Sequence, residues 1–355
     1  MVHRFDEIAI NSTAKKKPEE SDRFCYIGLE HIEPGTFEIS HWGADAAPVG
    51  EKLIMRKGDI LFGKRRAYQR KVAIAPFDGI FSAHGMVLRP KEEVICKEYF
   101  PFFLSSDQFM DTAIRISVGG LSPTINWKDL QQQEFDLPSL EEQRRLADKL
   151  WAAYELKEAY KKMIAATDEM VKAQFIEMFK SYQRVKLGSL ATFINGSAFK
   201  PQEWSSTGIP IIRIQNLTHE NDKFNYYNGD LTQKILVDNG DILISWSATL
   251  GIYVWNGDTA CLNQHIFKVI FNKIDIDRTF FIYTVNNVLQ DMYKSAHGST
   301  MRHVTKGTFD STLVVYPPKE LQKQFVIIAE QAEKSKSELR QAIEKIDRVM
   351  KSLMQ

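Results

Sequence analysis

The residues best suited to chemistry stand in one short run, Lys64-Arg65-Arg66-Ala67-Tyr68-Gln69-Arg70-Lys71. Ammonium and guanidinium groups grip phosphates, arginine pairs bidentately with guanine O6 and N7, and a glutamine amide matches adenine N6 and N7. Lys64, Arg65, Arg66, Tyr68, Gln69, Arg70 and Lys71 are therefore candidate DNA contacts; read as structure alone, the run is a solvated basic turn. Two Gly/Ser-containing loops add further candidates. Residues 119–128 offer Ser122, Thr124 and Asn126, and residues 298–306 offer Arg302, His303 and Lys306. Glycine lets such loops approach another backbone closely. The amide pairs Gln215–Asn216 and Asn263–Gln264 suit adenine readout and are equally able to cap turns. Glu30, His31, His84 and His265 interrupt apolar stretches, where a histidine is as readily a satisfied core residue.

No catalytic constellation accompanies these groups. There is no Gly-rich cofactor loop, no GxxxxGK[ST] phosphate loop and no Asn/Asp-Pro-Pro-aromatic tetrad; Tyr316-Pro317-Pro318-Lys319 has the prolines in the wrong frame. Charge runs such as Lys91-Glu92-Glu93 read as solvated faces rather than a nuclease cluster. Cys25, Cys96 and Cys261 lie far apart, without metal-ligand or disulfide spacing, and are expected to be reduced thiols. The reading is a chain with no catalytic residues, no metal and no cofactor. The 46 basic residues barely exceed the 45 acidic ones, so the net charge is +1. A stand-alone DNA binder generally carries a basic excess, because phosphate neutralisation supplies most of its affinity. Partners are therefore expected to supply much of the phosphate grip. No apolar run is long enough to span a bilayer and the N-terminus lacks the apolar core of a secretory signal, which points to a cytoplasmic protein with no membrane contact.

The elements that position these residues come in duplicate, with a period near 179 residues. Gly58-Asp59-Ile60-Leu61 recurs as Gly240-Asp241-Ile242-Leu243. An apolar stretch follows each, interrupted near His84 and His265, then an aromatic-rich helical pattern over 99–116 and 280–296. Strand signals over 59–62 and 72–75 make the basic run a hairpin tip, whereas the equivalent stretch Ser245-Trp246-Ser247-Ala248-Thr249-Leu250-Gly251 has no cation. Each half closes on a proline junction, at Pro138 and at Pro317–Pro318, and a segment without proline or glycine over 140–180 and 319–355. These compositions predict two long helices.

A heptad seam is expected along the second helix at Phe325, Ile328, Ala332, Ser335, Leu339, Ala342, Ile346, Val349 and Leu353. Shifted by 179, it predicts Leu146, Lys149, Ala153, Leu156, Tyr160, Met163, Thr167, Met170 and Gln174 on the first. Pairing of the two helices with each other, antiparallel, is the economical arrangement. Packing of each on its own domain, or on another chain, is the alternative.

The order of these elements resembles the specificity subunits of type I restriction–modification systems over essentially the whole chain. The carrying stretches are Leu137-Pro138-Ser139-Leu140-Glu141-Glu142-Gln143-Arg144, Pro317-Pro318-Lys319-Glu320-Leu321-Gln322-Lys323-Gln324-Phe325, Tyr26-Ile27-Gly28-Leu29-Glu30-His31-Ile32, Gly58 to Arg66, and Leu262-Asn263-Gln264-His265-Ile266-Phe267-Lys268. The resemblance implies an α+β protein of two α/β target-recognition domains separated by two long antiparallel coiled-coil-like helices, a pseudo-twofold internal repeat. The expected segments are 1–138, 139–180, 181–317 and 318–355. It also implies the partners: double-stranded DNA read as a split asymmetric target, two adenine-N6 methyltransferase subunits and motor-nuclease subunits. A coiled-coil scaffold or adaptor without sequence-specific DNA binding is the competing expectation.

Overall fold

The computed structural model describes residues 1–295 and 305–354. The chain forms two compact units, Met1–Lys162 with Leu339–Gln355, and Met163–Glu338.

Unit 1 holds strands β1 (Val2–Arg4), β2 (Ala9–Ser12), β3 (Lys15–Lys16), β4 (Tyr26–Ile27), β5 (Lys52–Met55), β6 (Ile60–Phe62), β7 (Val72–Ile74), β8 (Gly79–Phe81), β9 (Met86–Pro90) and β10 (Glu134–Asp136). They make one sheet in the order β2-β9-β6-β7, a second in the order β3-β5-β8-β4, and the pair β1-β10. Its helices are α1 (Phe5–Ile8), α2 (Phe100–Ser105), α3 (Asp107–Arg115), α4 (Trp127–Leu130) and the first part of α5 (Leu140–Phe179).

Unit 2 repeats the plan with β11 (Arg184–Lys186), β12 (Thr192–Asn195), β13 (Ile209–Ile212), β14 (Asn225–Tyr227), β15 (Leu236–Val237), β16 (Ile242–Ser245), β17 (Gly251–Val254), β18 (Ala260–Leu262), β19 (Ile266–Ile270) and β20 (Leu313–Val315). The sheet orders are β12-β19-β16-β17 and β14-β13-β18-β15, with the pair β11-β20. Its helices are the rest of α5, α6 (Ile214–Leu217), α7 (Arg278–Ser295), α8 (Lys306–Ser311) and the first part of α9 (Lys319–Leu353), whose remainder belongs to unit 1. The second sheets differ at one edge. The added strand β3 lies on β5 in unit 1, whereas β14 lies on β13 in unit 2.

The strands β6 and β16 are apolar at successive positions, Ile60–Phe62 and Ile242–Ile244, because both faces are covered. In β6, Ile60 and Phe62 enter the core that holds Phe100, Phe103 and Phe109, while Leu61 enters the core between the two sheets with Leu53, Met55 and Phe81. In β16, Ile242 and Ile244 pack with Phe280, Phe281 and Phe309, and Leu243 packs with Ile212 and Val237. The Gly-Asp repeat explains how these strands begin. Gly58 and Gly240 both have φ +88°, a left-handed turn that favours glycine. Asp59 accepts from the Arg56 amide and pairs with Arg89 at 2.7 Å; Asp241 accepts from the Asp238 amide and pairs with Lys268 at 2.7 Å. One departure from the expected pattern lies in the aromatic segment of unit 1. Ser106 has ψ 155° and its Oγ caps the Phe109 amide, so the run splits into α2 and α3, whereas α7 is continuous.

Candidate nucleic-acid interface

The basic run forms the loop between the antiparallel strands β6 and β7. Arg66 and Arg70 take left-handed φ values of 56° and 52°, flanking a single 3-10 turn whose Ala67 is buried. That anchor turns the neighbouring side chains outward: Arg66 is exposed, and so is Tyr68. Two other loops are laced to this one. The Arg65 amide donates to His84 O (3.2 Å), the Arg66 amide to Pro123 O (2.7 Å), and the Ile125 amide to Lys64 O (3.0 Å). Arg66 Nε donates to Ser122 Oγ at 3.2 Å, and Arg65 Nη1 lies 3.5 Å from His84 Nε2. Folding thus brings together the 64–71 and 119–128 candidates.

Two grooves flank the laced loops. One is lined by Tyr26, Glu30, Arg65, Arg66, Gln69 and His84; the other by Asn11, Thr13, Lys15, Lys64, Asn126 and Trp127. Partial burial, then the charges of Arg65, Lys64 and Lys52, hold the His84 pKa below its ordinary value. Its ring is therefore neutral at pH 7 and able to accept from Arg65. Burial, then Lys15, lowers the Lys64 pKa.

Not every candidate faces solvent with a free group. Arg70 pairs with Asp107 at 2.6 Å and Asp111 at 3.7 Å, and Lys71 Nζ donates to Leu29 O at 2.6 Å. These two cations brace the loop. Asn126 Nδ2 donates to Asp129 Oδ2 at 3.3 Å, and Thr124 Oγ1 to Ser122 O at 3.3 Å, so both also organise their own turn.

In unit 2 the loop between β16 and β17 carries no cation and is built inward. Trp246 Nε1 donates to Asn195 Oδ1 (3.1 Å) and its ring lies 5.3 Å from His265 and 5.7 Å from Phe267, while Ser245 Oγ donates to Thr249 O at 2.5 Å. Gln264 is exposed beside His265, with 3.2 Å between the two Nε2 atoms. Asn263 is half-buried, and its amide donates to Ile212 O at 3.1 Å. Asn216 is a correction to the sequence expectation. It is buried, its Oδ1 accepts from the Arg213 amide (3.0 Å), and its Nδ2 donates to Asn221 O (2.8 Å) and Lys223 O (3.1 Å), so both ends of the amide hold the turn and both its N–H donors are used. Lys306 is exposed at the start of α8 and pairs with Asp310 at 2.8 Å. Arg302 and His303 lie outside the described residues.

The helices are long, as expected, and antiparallel within each unit. In unit 1, Lys157 pairs with Asp347 at 2.6 Å, and Leu150 and Tyr154 share a core with Met350. In unit 2, Lys336 pairs with Asp168 at 2.5 Å, and Phe175 packs on Phe325 with ring centroids 5.1 Å apart. The expected seam is off by one residue along α5. Ala147, Leu150, Tyr154, Lys157, Val171 and Phe175 are buried; Leu156, Met163 and Met170 are 44%, 52% and 53% exposed. Leu146 and Tyr160 are half-buried at the seam's edge. On α9 the expected Phe325 and Ala332 are buried, and Leu339, Ile346 and Leu353 are half-buried. Between them the inward positions are Ala329, Lys336 and Met350, so Ser335 and Val349 face outward and Ile328 packs in neither core. The shift arises because two buried lysines read as polar surface, whereas the outward leucine and methionines read as core.

A signal for the true register was present at the same spacing. Gln143/Gln322, Lys157/Lys336 and Asp168/Asp347 are identical pairs 179 residues apart. Both glutamines are buried at the start of their helices. Gln143 accepts from the Cys96 amide and donates to Val94 O and Pro138 O; Gln322 accepts from the Asp277 amide and donates to Pro317 O.

Among the described residues there is no His/Cys/Asp/Glu group arranged to hold a metal, and no helix long and apolar enough to cross a membrane. Fold and site together define a duplicated two-unit protein, in which one sheet framework presents loops of unlike chemistry. The profile of the family described as "Type I restriction modification DNA specificity domain" matches residues 10–165 and 180–347, and the chain belongs to that family. The EcoBI specificity subunit of Escherichia coli is 27% identical over 157 residues, covering 44% of this chain and 32% of that protein. The EcoDI specificity subunit of E. coli is 28% identical over 145 residues, 40% of this chain and 32% of its own. The matches thus span about a third of those two relatives. A putative MjaX specificity subunit of Methanocaldococcus jannaschii is 22% identical over 89% of this chain and 82% of its own length. In fold, the chain is similar to one in a structure titled for complex assembly and conformational transition of the type I R-M system (TM-score 0.58, 17% identity, 100% of this chain and 96% of that one). It is also similar to the type I restriction–modification S subunit of M. genitalium (TM-score 0.52, 15% identity, 99% and 95%).

Proposed function

We propose that this chain is the sequence-specific DNA-recognition subunit of a type I restriction–modification complex. Each unit reads one half of a split asymmetric target, through segments 1–138 and 181–317. The helical segments 139–180 and 318–355 hold two adenine-N6 methyltransferase subunits, with motor-nuclease subunits joining for restriction. The chain performs no chemistry itself and works in the cytoplasm. The observation that carries this reading is the contrast between equivalent loops: Lys64-Arg65-Arg66 in unit 1 stands where Trp246-Ser247-Ala248 stands in unit 2. Two loops of unlike chemistry on one framework suit two different half-sites; a pure phosphate binder would carry the same charge in both. A scaffold without DNA contact leaves the cationic grooves of unit 1 unexplained.

Within unit 1, Lys64, Arg65, Arg66, Tyr68, Gln69 and Ser122 form the proposed contact surface. Within unit 2 it comprises Gln215, Asn263, Gln264 and Lys306. Along α5 the exposed Leu156, Met163 and Met170 recur every seven residues, a stripe suited to a methyltransferase helix. The test is to assemble the chain with its methyltransferase partners and map adenine methylation by single-molecule sequencing. Replacing 181–317 with the corresponding segment of another family member should change one half of the methylated motif only. A change in both halves, or in neither, would sink the assignment.

A further inference from the structure

The strands β4 and β13 each run into the same tight turn. In unit 1 the Gly28 amide donates to His31 Nδ1 at 2.9 Å, and the His31 amide returns to Gly28 O at 3.2 Å. In unit 2 the Arg213 amide donates to Asn216 Oδ1 at 3.0 Å, and the Asn216 amide returns to Arg213 O at 2.9 Å. Different residues thus perform one task, a side-chain acceptor closing a three-residue turn. Both closing residues are buried. The residue just before each is held in place by that closure, and its own side chain takes no part in the closing hydrogen bonds. These residues are Glu30 and Gln215.

Neither side chain makes a hydrogen bond or ion pair with a described residue. Glu30 is exposed on the groove lined by Arg65, Arg66, Gln69 and His84. Its carboxylate lies over Gly28, where any Cβ would come within 2.0 Å of Oε1, so glycine is the residue that lets it sit there. At the position of Gly28, unit 2 has Arg213, whose guanidinium lies 5.3 Å from the Trp204 ring. An unpaired carboxylate beside two arginines is poorly placed for phosphate. It is well placed for a donor on a base edge, and in the major groove such donors are cytosine N4 and adenine N6. A carboxylate only accepts, which matches cytosine N4; an amide both donates and accepts, which matches adenine N6 and N7.

We infer that the turn following β4 and β13 is a base-reading position in both units, with Glu30 selecting a cytosine in one half-site and Gln215 an adenine in the other. The inference rests on the proposed DNA-recognition function and assigns particular residues to it. It is tested in the assembled complex by mapping methylated motifs for the wild-type chain, Glu30→Gln and Gln215→Glu, with thermal melting to confirm that these near-isosteric variants fold alike. Glu30→Gln should weaken the preference at one C·G pair by on the order of tenfold, with a shift toward A·T, and leave the other half-site unchanged. Gln215→Glu should do the reverse in the other half. If Glu30→Gln keeps the wild-type motif unaltered while Arg65→Ala/Arg66→Ala weakens methylation, the base-reading role is overturned and the recognition function stands. Equal relaxation of both halves by either variant also overturns it. A wild-type complex that methylates no bipartite motif overturns the function itself.

Discussion

The loops joining β6 to β7 and β16 to β17 sit on the same support and do different things with it. Both supports open on a glycine at φ +88° followed by an aspartate paired to a cation on the neighbouring strand, Arg89 or Lys268. From there unit 1 spends residues 63–71 on a loop that sets Arg66 and Tyr68 outward, and unit 2 spends 246–250 on one that folds Trp246 against Phe267. The sheet therefore supplies a mounting, and loop length and anchoring decide what is mounted. In unit 1 the anchor is Ala67, small enough to bury without displacing the arginines; in unit 2 it is an indole.

The largest expected effect separates the units through their cores. Phe325 contacts Phe175, Phe179, Phe280 and Tyr283 in unit 2, and Phe325→Ala should cost about 3–5 kcal/mol in denaturant unfolding. Its counterpart Leu146 is half-buried, and Leu146→Ala should cost roughly 2 kcal/mol or less. Equal losses would mean that the two ends of the duplication are packed alike.

The buried lysines offer a sharper contrast. Lys157 has Asp347 as its carboxylate partner, whereas Lys336 has both Asp168 and Glu333, the latter at 2.7 Å. Asp347→Ala should destabilise by roughly 2 kcal/mol, below the several kcal/mol of a fully buried pair because Asp347 is half-exposed. Asp168→Ala should cost about half as much. In the same assay Leu156→Asp should leave unfolding nearly unchanged yet abolish methyltransferase binding, which would separate the outward stripe from the seam.

Next in size is DNA affinity. Arg65→Ala and Arg66→Ala should each reduce the slope of log affinity against log salt by about 1 if each contacts a phosphate. Arg70→Ala should leave the slope unchanged, since its charge is satisfied by Asp107 and Asp111.

The smallest effect concerns pH. The His84 pKa is lowered in the folded chain, so the unfolded chain takes up this proton more readily. Stability is then undiminished above the ordinary histidine pKa of about 6.5 and falls as pH drops through the lowered value. His84→Gln should flatten unfolding free energy against pH just below the ordinary histidine pKa of about 6.5; an unaltered slope would place the proton elsewhere.

Much of the architecture was legible from residue order. The duplicated Gly-Asp turns, the proline junctions and the two uninterrupted helix-forming segments prescribe two similar units closed by long helices, because glycine and proline act through local backbone geometry. The unlike chemistry of residues 64–66 and 246–248 was also plain in the sequence. Three things were decided only by the tertiary structure. The 119–128 loop meets the basic loop largely through backbone hydrogen bonds, which carry no side-chain signature. Arg70, Lys71 and Asn216 were drawn into the framework, since a polar group's availability depends on which partner folds beside it. Along α5 the helical seam fell one residue from its apparent place, because burial follows the contacts a side chain makes rather than its polarity. Lys157 and Lys336 go inside with aspartate partners, while Leu156, Met163 and Met170 remain on the surface.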